Sequence, residues 1–298
     1  MSVNHTMKIF PQVELGILGG TGLYEIEGFE DIQEIALETP FGSPSDIFHT
    51  GNLVGKRVAF LSRHGKGHCL LPSEINYRAN IYGFKLLGAK RLLSVNSVGS
   101  LKENIHPRDM VLPDQFFDRT HRANTFFGEG VVGHISFAQP VCPDFSGLIF
   151  QVAKELGMPV HPSGVYICIE GPAFSSKAES RIYRSWGCDV IGMTASTEAR
   201  LAREAEICYT SLSLVTDYDV WHDDEVTVSV ELILENLKKN IAGAKKLIRE
   251  IIPRLSTDRT AGCPCQDALK NVMVTAANLI PLETKKNLTP IIGKYLKA

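Results

Sequence analysis

The sequence predicts an α/β fold in which helices cover a largely buried sheet. Short apolar segments bounded by glycine recur along the chain, and amphipathic stretches with helical spacing stand between them. Several of the apolar segments are continuous rather than alternating, which is typical of strands buried on both faces. Strands that alternate with helices in this way indicate an α/β domain.

The predicted strands are apolar runs that end in glycine or polar residues. In chain order they are VELGIL (13–18), RVAFLS (57–62), RLLSVNSVG (91–99), DMVLP (109–113), GVYICIEG (164–171), DVIGM (189–193) and CYTSLSLVTD (208–217). The carboxyl ends of such strands are where α/β proteins bind ligands, so the residues that follow them are candidates for function.

The predicted helices have one apolar face. In INYRANIYGFKLLG (75–88) that face holds Ile75, Ala79, Tyr82 and Leu86. A second helix covers Ser146 to Leu156, and Gly157 is its predicted C-terminal stop. Three further helices are predicted at 178–187, 198–206 and 228–255.

Residues 1–255 form one predicted domain, and residues 256–298 form a C-terminal helical extension. The segment from Ser256 to Gly262 is the only plausible linker. Beyond it, DALKNVMVTAANLIP and PIIGKYLKA are predicted to be helices. We expect them to pack on the same domain or on a neighbouring subunit.

Composition excludes several classes of protein. With 44% hydrophobic and 21% charged residues, the chain is typical of a globular protein. A net charge of −2 argues against a broad nucleic-acid-binding face, which needs clustered Lys and Arg. No apolar run reaches the roughly 18 residues of a membrane helix, and no signal-like segment opens the chain, so we expect a cytoplasmic protein without membrane partners.

The seven cysteines are too few for a disulfide scaffold, and their odd number leaves at least one unpaired. Cys263 and Cys265 form a CxC pair, which could be a disulfide, a redox pair or half of a metal site. Because no second pair with zinc-like spacing accompanies them, we expect a structural pair, reduced or bridged, and no metal site.

The turn after the first strand could bind an anion. Its sequence, GGTG (19–22), lets backbone N–H groups approach an oxyanion closely, and Thr21 adds a hydroxyl. It is neither the dinucleotide fingerprint nor the nucleotide P-loop. Taken alone, it also fits a simple tight turn.

A basic loop, SRHGKGH (62–68), follows the second strand. Arg63 could make two parallel hydrogen bonds to phosphate, and His64 and His68 could donate to an anion or a sugar hydroxyl. In isolation the same loop could be an ordinary solvated basic loop. The two histidines are a poor metal platform, because glycine interrupts the loop and no carboxylate stands near them.

Three more segments carry candidate contacts for a ligand. SVNSVGSL (94–101) runs from a strand into small polar residues, among them Ser97. Phe174 could stack on a base and Met193 could lie under a ribose, although each alone is more often a core residue. Glu198 could bind a purine edge or simply stabilise the first turn of a helix.

Two carboxylates, Asp217 and Asp219, fall just beyond the strand that ends in SLVTD, on the same side of its alternation. Paired acids at a strand end can divide their roles, one protonated and the other ionised. Ordinary aspartates of a solvated loop would show the same spacing.

Together, GILGGTGLYE, SRHGKGH with INYRANI, EGPAFSS, IGMT and TDYD resemble the purine nucleoside phosphorylase superfamily of trimeric or hexameric enzymes, and within it the methylthioadenosine phosphorylases. The resemblance runs from about Val13 to Leu255, and CPCQDALKN resembles microbial members. It implies a single α/β domain with a central mixed, partly barrel-like sheet flanked by helices, plus C-terminal helices. It also implies a homotrimer or homohexamer that binds a purine nucleoside, with inorganic phosphate as co-substrate and no metal or organic cofactor.

The resemblance assigns roles to the residues that match the family's motifs. Phosphate would be bound by Thr21, Arg63, His64, Ser97 and Thr194. The base and ribose would be contacted by Phe174, Met193, Glu198, Asp217 and Asp219. The 5′ substituent would meet Val230, Ile233 and, from a neighbouring subunit, His134. The catalytic groups would be Asp217, Asp219 and His64.

These roles fit phosphorolysis of 5′-deoxy-5′-methylthioadenosine to adenine and 5-methylthioribose 1-phosphate. Asp217 would donate a proton to N7 and accept from a 6-amino group, whereas asparagine there would suit a 6-oxo group. An apolar pocket formed by Val230 and Ile233 would favour methylthio over hydroxyl.

Three departures from the family pattern keep alternatives open. Ala173 replaces an arginine, Ser196 and Thr197 replace Val-Pro, and Asn96 to Val98 replace Thr-Ala-Cys. The alternatives are a phosphorylase for 6-oxopurine nucleosides or methylthioinosine, a phosphate-independent nucleosidase and a non-catalytic nucleoside-binding protein.

Overall fold

Eleven strands form one mixed sheet in the computed structural model, which describes residues 12–222, 230–256, 258 and 263–296. This confirms the predicted α/β fold. The strands are β1 (Leu15–Gly19), β2 (Phe29–Ile35), β3 (Phe48–Leu53), β4 (Lys56–Ser62), β5 (Arg91–Ser100), β6 (Met110–Val111), β7 (Gln115–Arg119), β8 (Val160–His161), β9 (Val165–Ile169), β10 (Val190–Gly192) and β11 (Cys208–Asp217).

The sheet runs in the order β2-β3-β4-β1-β5-β10-β9-β7, and β11 joins β5 to β6, which pairs with β8. Strands β4, β1, β5 and β11 are mutually parallel and form its centre. Every residue of β1 and β11 is buried, as their continuous apolar or small character predicts. The sheet is not closed: β2 and β7, at the ends of the path, each pair with one described strand.

Strand β5 has neighbours on both edges, and one of these edges is interrupted. β1 pairs with β5 only as far as Ser94, whereas the antiparallel β10 begins to pair at Gly99. Between these two points, residues 95–98 have no strand partner on that edge among the described residues. This gap in the centre of the sheet positions the cavity described below.

The described residues form seven α-helices: α1 (Tyr77–Leu86), α2 (Pro143–Glu155), α3 (Lys177–Ser185), α4 (Ala195–Glu204), α5 (Val230–Ile251), α6 (Leu282–Asn287) and α7 (Thr289–Ile292). On the predicted face of α1, Ile75, Ala79 and Tyr82 are buried and Leu86 is half-buried. Gly157 adopts a positive φ of 66° immediately after the last turn of α2, the conformation that a glycine stop requires.

Short 3-10 helices complete the fold, at Thr21–Leu23, Asp219–Trp221, Ile252–Arg254, Pro264–Asp267, Ala277–Leu279 and Gly293–Tyr295. The predicted helix over DALKNVMVTAANLIP is wrong: this stretch consists of turns and a 3-10 helix, and Met273 bridges Gly133. Its backbone pairs with another segment instead of with itself, since the Val274 N–H donates to the Val132 carbonyl at 2.8 Å and the Val272 carbonyl accepts from the His134 N–H at 3.0 Å.

The C-terminal residues pack on the same chain. Leu269, Ile280 and Ile292 join the core that also contains α1, and the Tyr82 hydroxyl donates to the Asn287 carbonyl. The division of the chain at residue 255 stays a prediction. In the described part of the protein, no helix has the length and apolar character needed to span a membrane.

Candidate active site

A cavity of about 520 Å³ opens at the gap beside β5. That volume suits a ligand of nucleoside size. Its wall combines the turn after β1, the loop after β4, the end of β5, the segments around β9 and β10, the end of β11 and the face of α5. Its lining includes Gly20, Gly22, Leu23, Arg63, His64, His68, Asn96, Ser97, Phe174, Ser175, Met193, Thr194, Asp217, Asp219, Leu237 and Ile241.

The glycine turn and the basic loop meet at this cavity. β1 and β4 are adjacent and parallel, with Gly19 in register with Ser62, and the Arg63 N–H donates to the Gly19 carbonyl at 2.8 Å. Two parallel strands that end side by side bring the loops after them together. The Thr21 side chain lies outside the described residues, so its predicted contact stays a prediction.

Arg63 is buried and its guanidinium is largely used inside the protein. Its Nε lies 2.5 Å from Glu198 Oε1, and its Nη2 donates to Ser94 Oγ at 2.7 Å. Nη2 also donates to Glu198 Oε2 at 3.3 Å, so the two parallel hydrogen bonds expected for phosphate go to this carboxylate. Nη1 donates to the Val95 carbonyl at 2.9 Å. Because each terminal nitrogen carries two N–H groups, one from Nη1 is left for a ligand.

Glu198 does not reach the cavity, and the prediction that it binds a purine edge is wrong. Its side chain is fully buried behind Arg63 and also accepts hydrogen bonds from Ser94 and Tyr209. A buried guanidinium needs a counter-charge, and Glu198 supplies it. This carboxylate holds Arg63 in position without touching the ligand space.

His64 lies on the cavity wall, stacked on His68 with ring centroids 4.3 Å apart. Burial, followed by the charge of Arg63, lowers the pKa of His64 to about 4, so its ring is neutral at pH 7. Its Nδ1 is 2.8 Å from the Leu70 carbonyl, which can only accept, so Nδ1 carries the proton. The other nitrogen, Nε2, is left as an acceptor.

Thr194 and Ser97 complete the polar side of the cavity. Thr194 is the N-cap of α4, but its hydroxyl makes no capping bond, so it is free to face a ligand. The first turn of a helix also attracts anions through its unpaired N–H groups. Ser97 is exposed at the open edge of β5. Both positions agree with the phosphate contacts that the resemblance implies.

The two carboxylates lie side by side on the cavity wall. A bulge in β11 before Asp217 sets this residue beside Gly99 of β5. Asp217 Oδ1 accepts from the Asp219 backbone N–H at 2.8 Å, and Oδ2 accepts from Thr216 at 2.7 Å. Asp219 accepts from Ser180. Burial, with a further contribution from the charge of Asp217, raises the pKa of Asp219 to about 6.

Burial of the two carboxyls side by side lets the pair bind a proton near pH 6, as the raised pKa of Asp219 indicates. That Asp217 holds or shares this proton stays a prediction. The alternative of solvated loop aspartates is wrong, since both are buried.

Phe174 and Met193 face the cavity rather than the core. Phe174 is 56% exposed and forms an open part of the wall. Met193 is half-buried and lies against Gly171, where a β-carbon would come within 2.5 Å of the Met193 sulfur. The glycine of EGP thus leaves room for the methionine side chain.

Only part of the predicted 5′ pocket falls within the described residues. The side chains of Val230 and Ile233 lie outside the described residues, and His134 is exposed and away from the cavity wall of its own chain. Leu237 and Ile241 line the cavity instead. Sequence reasoning missed them, although they continue the spacing of Ile233 at i+4 and i+8 on one helix face.

Ser175 was also missed. Its hydroxyl is buried on the cavity wall and has no hydrogen-bond partner among the described residues. A buried polar group without a partner is costly, so this hydroxyl is suited to a ligand. The segment EGPAFSS carried the signal, but nothing in the sequence distinguishes Ser175 from Ser176.

One departure from the family pattern has a structural explanation. The Asn96 side chain bridges β5 to β11, with Nδ2 2.7 Å from Ser211 Oγ and Oδ1 accepting from Ser213. The hydroxyls of Ser196 and Thr197 are buried without described partners and lie off the cavity wall. Ala173 is exposed.

Comparison with known proteins agrees with this geometry. The profile of the Phosphorylase superfamily matches residues 14–253. The S-methyl-5′-thioadenosine phosphorylase of Geobacter sulfurreducens is 56% identical over 284 residues, covering 95% of this chain and 99% of that protein. The one of Koribacter versatilis is 51% identical over 285 residues, or 95% and 97% of the two chains.

Solved structures are similar over nearly the whole chain. A methylthioadenosine phosphorylase sourced from an antarctic soil metagenomic library superposes with a TM-score of 0.89 at 42% identity, covering 94% of this chain and 99% of that one. A mutant adenosine/methylthioadenosine phosphorylase from Schistosoma mansoni, solved with methylthioadenosine, gives a TM-score of 0.81 at 34% identity, covering 87% and 97%.

Proposed function

This chain belongs to the phosphorylase superfamily, and on that premise we propose that it uses inorganic phosphate to cleave 5′-deoxy-5′-methylthioadenosine. The products are adenine and 5-methylthioribose 1-phosphate. The observation that carries the proposal is that two groups line one cavity. The first is the glycine turn together with Arg63 and His64, which we call the anion-binding corner. The second is the buried pair of Asp217 and Asp219. Phosphorolysis needs these two groups on either side of a sugar.

Phosphate binds among the glycine turn, Arg63, His64, Ser97 and Thr194. The N–H of Arg63 Nη1, the two hydroxyls and the N-terminus of α4 donate to its oxygens. His64 Nε2 accepts from a protonated phosphate oxygen, since its own proton is on Nδ1. The anion then lies close to the anomeric carbon, where it acts as nucleophile and as counter-charge to the developing oxocarbenium ion.

The carboxylate pair serves the departing base. As the glycosidic bond breaks, negative charge accumulates on the purine, and a proton delivered to N7 stabilises it. The pair supplies that proton, shared between Asp217 and Asp219, and the raised pKa of Asp219, about 6, lets the pair bind it close to neutral pH. Asp217 accepts from the 6-amino group, which a 6-oxopurine does not offer. This difference favours adenine over hypoxanthine or guanine.

The apolar side of the cavity suits the methylthio group. Leu237 and Ile241 project from α5 near the glycine turn, and Ile241 Cδ1 would be 3.9 Å from a β-carbon at Gly22. Leu23 adjoins them. The resemblance assigns Val230 and Ile233 to the same 5′ pocket, and an apolar surface gains more from a thioether than from a hydroxyl.

A second copy of the chain completes the site in this proposal. His134 is exposed and away from its own cavity, so it can reach the 5′ end of the substrate in a neighbouring subunit of a homotrimer or homohexamer. The mass of the assembly in solution tests this point. A monomer with full activity would contradict it.

Product analysis with and without phosphate tests the proposed reaction. With methylthioadenosine and phosphate we expect equal amounts of adenine and the sugar phosphate, and with inosine a much slower reaction. Adenine release without phosphate would identify a nucleosidase. A preference for inosine or methylthioinosine would identify a 6-oxopurine phosphorylase, and binding without product would identify a nucleoside-binding protein.

Two threonines provide a matched pair of variants for the phosphate site. Thr194→Val removes a hydroxyl on the cavity wall, and Thr197→Val removes a buried hydroxyl that is off the wall. We expect Thr194→Val to raise the KM for phosphate by about tenfold, the value of one hydrogen bond to a charged group. Thr197→Val should leave it unchanged. Equal effects would contradict the assignment.

A further inference from the structure

Four cysteines from distant parts of the chain meet in the core, on the side of the sheet that α2 and α5 cover. They are Cys142, Cys208, Cys263 and Cys265, and we call them the cysteine cluster. Cys142 is the N-cap of α2, and Cys208 is the first residue of β11. The CxC pair enters from the C-terminal extension. Sequence spacing could not reveal this set, because two of its members are isolated cysteines.

The spacing of the sulfur atoms matches the coordination of one metal ion. All four lie within 4.8 Å of one another. The Cys263 sulfur is 3.9 Å from that of Cys142 and 3.6 Å from that of Cys208. Four thiolates around zinc at a Zn–S distance of about 2.3 Å form a tetrahedron with edges of about 3.8 Å. A disulfide would need about 2.05 Å between two sulfurs.

The surroundings of the cysteine cluster suit thiolate ligands. Arg203 is buried beside it, and its Nη1 lies 3.7 Å from the Cys265 sulfur, so a cation donates to one ligand. The N-terminus of α2 begins at Cys142, a position that favours a thiolate. Such outer contacts orient and stabilise metal ligands.

We propose that the cysteine cluster binds one structural zinc ion. Binding releases the four thiol protons, and the resulting net charge of −2 on the ZnS₄ unit is partly balanced by Arg203. A tetrahedral set of four sulfurs selects zinc over hard cations such as magnesium and calcium. All four residues are at most 6% exposed, so the coordination shell is closed to substrate. This is the character of a structural rather than a catalytic zinc site.

The position of the cluster separates its role from catalysis. Cys208 begins β11 and Asp217 ends it, so the strand's ten residues place the metal roughly 30 Å from the carboxylate pair. The ion would join α2, β11 and the C-terminal extension at one point. Its removal should therefore loosen the attachment of residues 263–296 and leave the phosphate requirement unaltered.

Metal analysis of the wild-type chain, purified without chelator from zinc-containing medium, is the first test. We expect about one zinc ion per chain, released when about four thiols react with a mercurial reagent. Cobalt substitution should give the thiolate charge-transfer and ligand-field bands of a tetrahedral S₄ site. Neither measurement depends on the folding of a variant.

Two variants locate the site. The double variant Cys263→Ser, Cys265→Ser should lose the zinc and unfold at a lower temperature. Cys188→Ala removes a buried cysteine outside the cluster and should keep the metal. Phosphate-dependent turnover per folded chain should change less than about twofold in both, because a structural ion acts on stability rather than on chemistry.

Several results would overturn the proposal. The first is a purified protein that holds no zinc and whose cluster thiols are all free. The second is a disulfide within the cluster, found by non-reducing mass spectrometry. Stoichiometric iron in place of zinc, or loss of zinc from Cys188→Ala, would also contradict it. Because turnover is measured separately, each of these results leaves the proposed reaction standing.

Discussion

Arg63 and Glu198 form a fully internal ion pair beneath the anion-binding corner: Nε and Oε1 are 2.5 Å apart, and the side chains are 3% and 0% exposed. The pair carries no net charge, so Arg63 attracts phosphate less than an unpaired guanidinium would. The hydroxyls and the N-terminus of α4 therefore contribute much of the binding. Glu198 contributes by fixing the guanidinium of Arg63 in one orientation before phosphate binds.

Replacing Glu198 with Gln should destabilise the protein and increase its response to phosphate. The change leaves the Arg63 charge buried without a partner, which costs about 3 kcal/mol or more of unfolding free energy. Phosphate would then supply the missing negative charge, so saturating phosphate should raise the Tm of Glu198→Gln more than that of the wild type.

The control for this variant is Glu235→Gln, which breaks the exposed pair with Lys239 on α5. Exposed pairs contribute little, so its unfolding free energy should stay close to that of the wild type. Equal phosphate-induced shifts of Tm in Glu198→Gln and the wild type would show that Arg63 does not approach the anion.

The sequence predicted which segments meet at the site better than it predicted what their side chains contact. The glycine turn and the basic loop each follow a central strand, and adjacent parallel strands carry such loops to one place. Glu198 stands 135 positions from Arg63, and helix periodicity could not tell whether its carboxylate faces the ligand or the guanidinium.

Other features were hidden from sequence reasoning for physical reasons. Strand β2, FEDIQEI, is an exposed edge strand and has no continuous apolar run. The gap in β5 depends on where its two neighbours end, which is a property of the assembled sheet. The cysteine cluster also depends on the assembled fold, because its four members are brought together from distant parts of the chain and have no common spacing.

Asp217→Asn should change the preference for the base. The asparagine amide can donate to O6, whereas the lost carboxylate no longer accepts from a 6-amino group. We expect kcat/KM for methylthioadenosine to fall about 10- to 100-fold, the value of a hydrogen bond to a charged group. The ratio of inosine to methylthioadenosine turnover should rise.

The hydrogen bonds around Asp217 allow a change in turnover to be attributed to the reaction and not to a disturbed fold. An asparagine oxygen can still accept from the Asp219 N–H, so the local fold is retained. Asp144→Asn, an exposed aspartate in the first turn of α2, serves as the control. An unchanged substrate ratio in Asp217→Asn would exclude direct contact with the purine edge.

Leu237→Gln should reduce the preference for the methylthio group. A polar amide on the apolar wall weakens binding of a thioether by about 1–2 kcal/mol but can hydrogen-bond a 5′-hydroxyl. The ratio of kcat/KM for methylthioadenosine to that for adenosine should fall about tenfold, as 1.4 kcal/mol corresponds to a factor of ten. Lys238→Gln, an exposed change one position along α5, should leave the ratio unaltered. A fall in both variants would point to a general effect on the helix.

Glu204, which lies away from the active site, should make the free energy of unfolding depend on pH. It is buried at the end of α4, where it accepts from Thr125 Oγ1 at 2.7 Å and from the Phe126 N–H at 2.6 Å. Burial outweighs these bonds and raises the pKa of Glu204 from 4.5 to about 7. The folded state thus binds the proton more tightly than the unfolded state, so the stabilisation is complete below pH 4.5 and is lost as the pH rises through 7.

Glu204→Gln should remove this loss, because glutamine stays neutral and still accepts from Phe126. The stability of Glu204→Gln relative to the wild type should therefore increase between pH 4.5 and pH 8, by up to about 3 kcal/mol. Denaturant unfolding at several pH values measures the difference, with Glu250→Gln, an exposed glutamate of α5, as the control. A constant difference across this range would mean that Glu204 is already ionised in the folded protein at pH 5, and that its two hydrogen bonds outweigh the cost of burial.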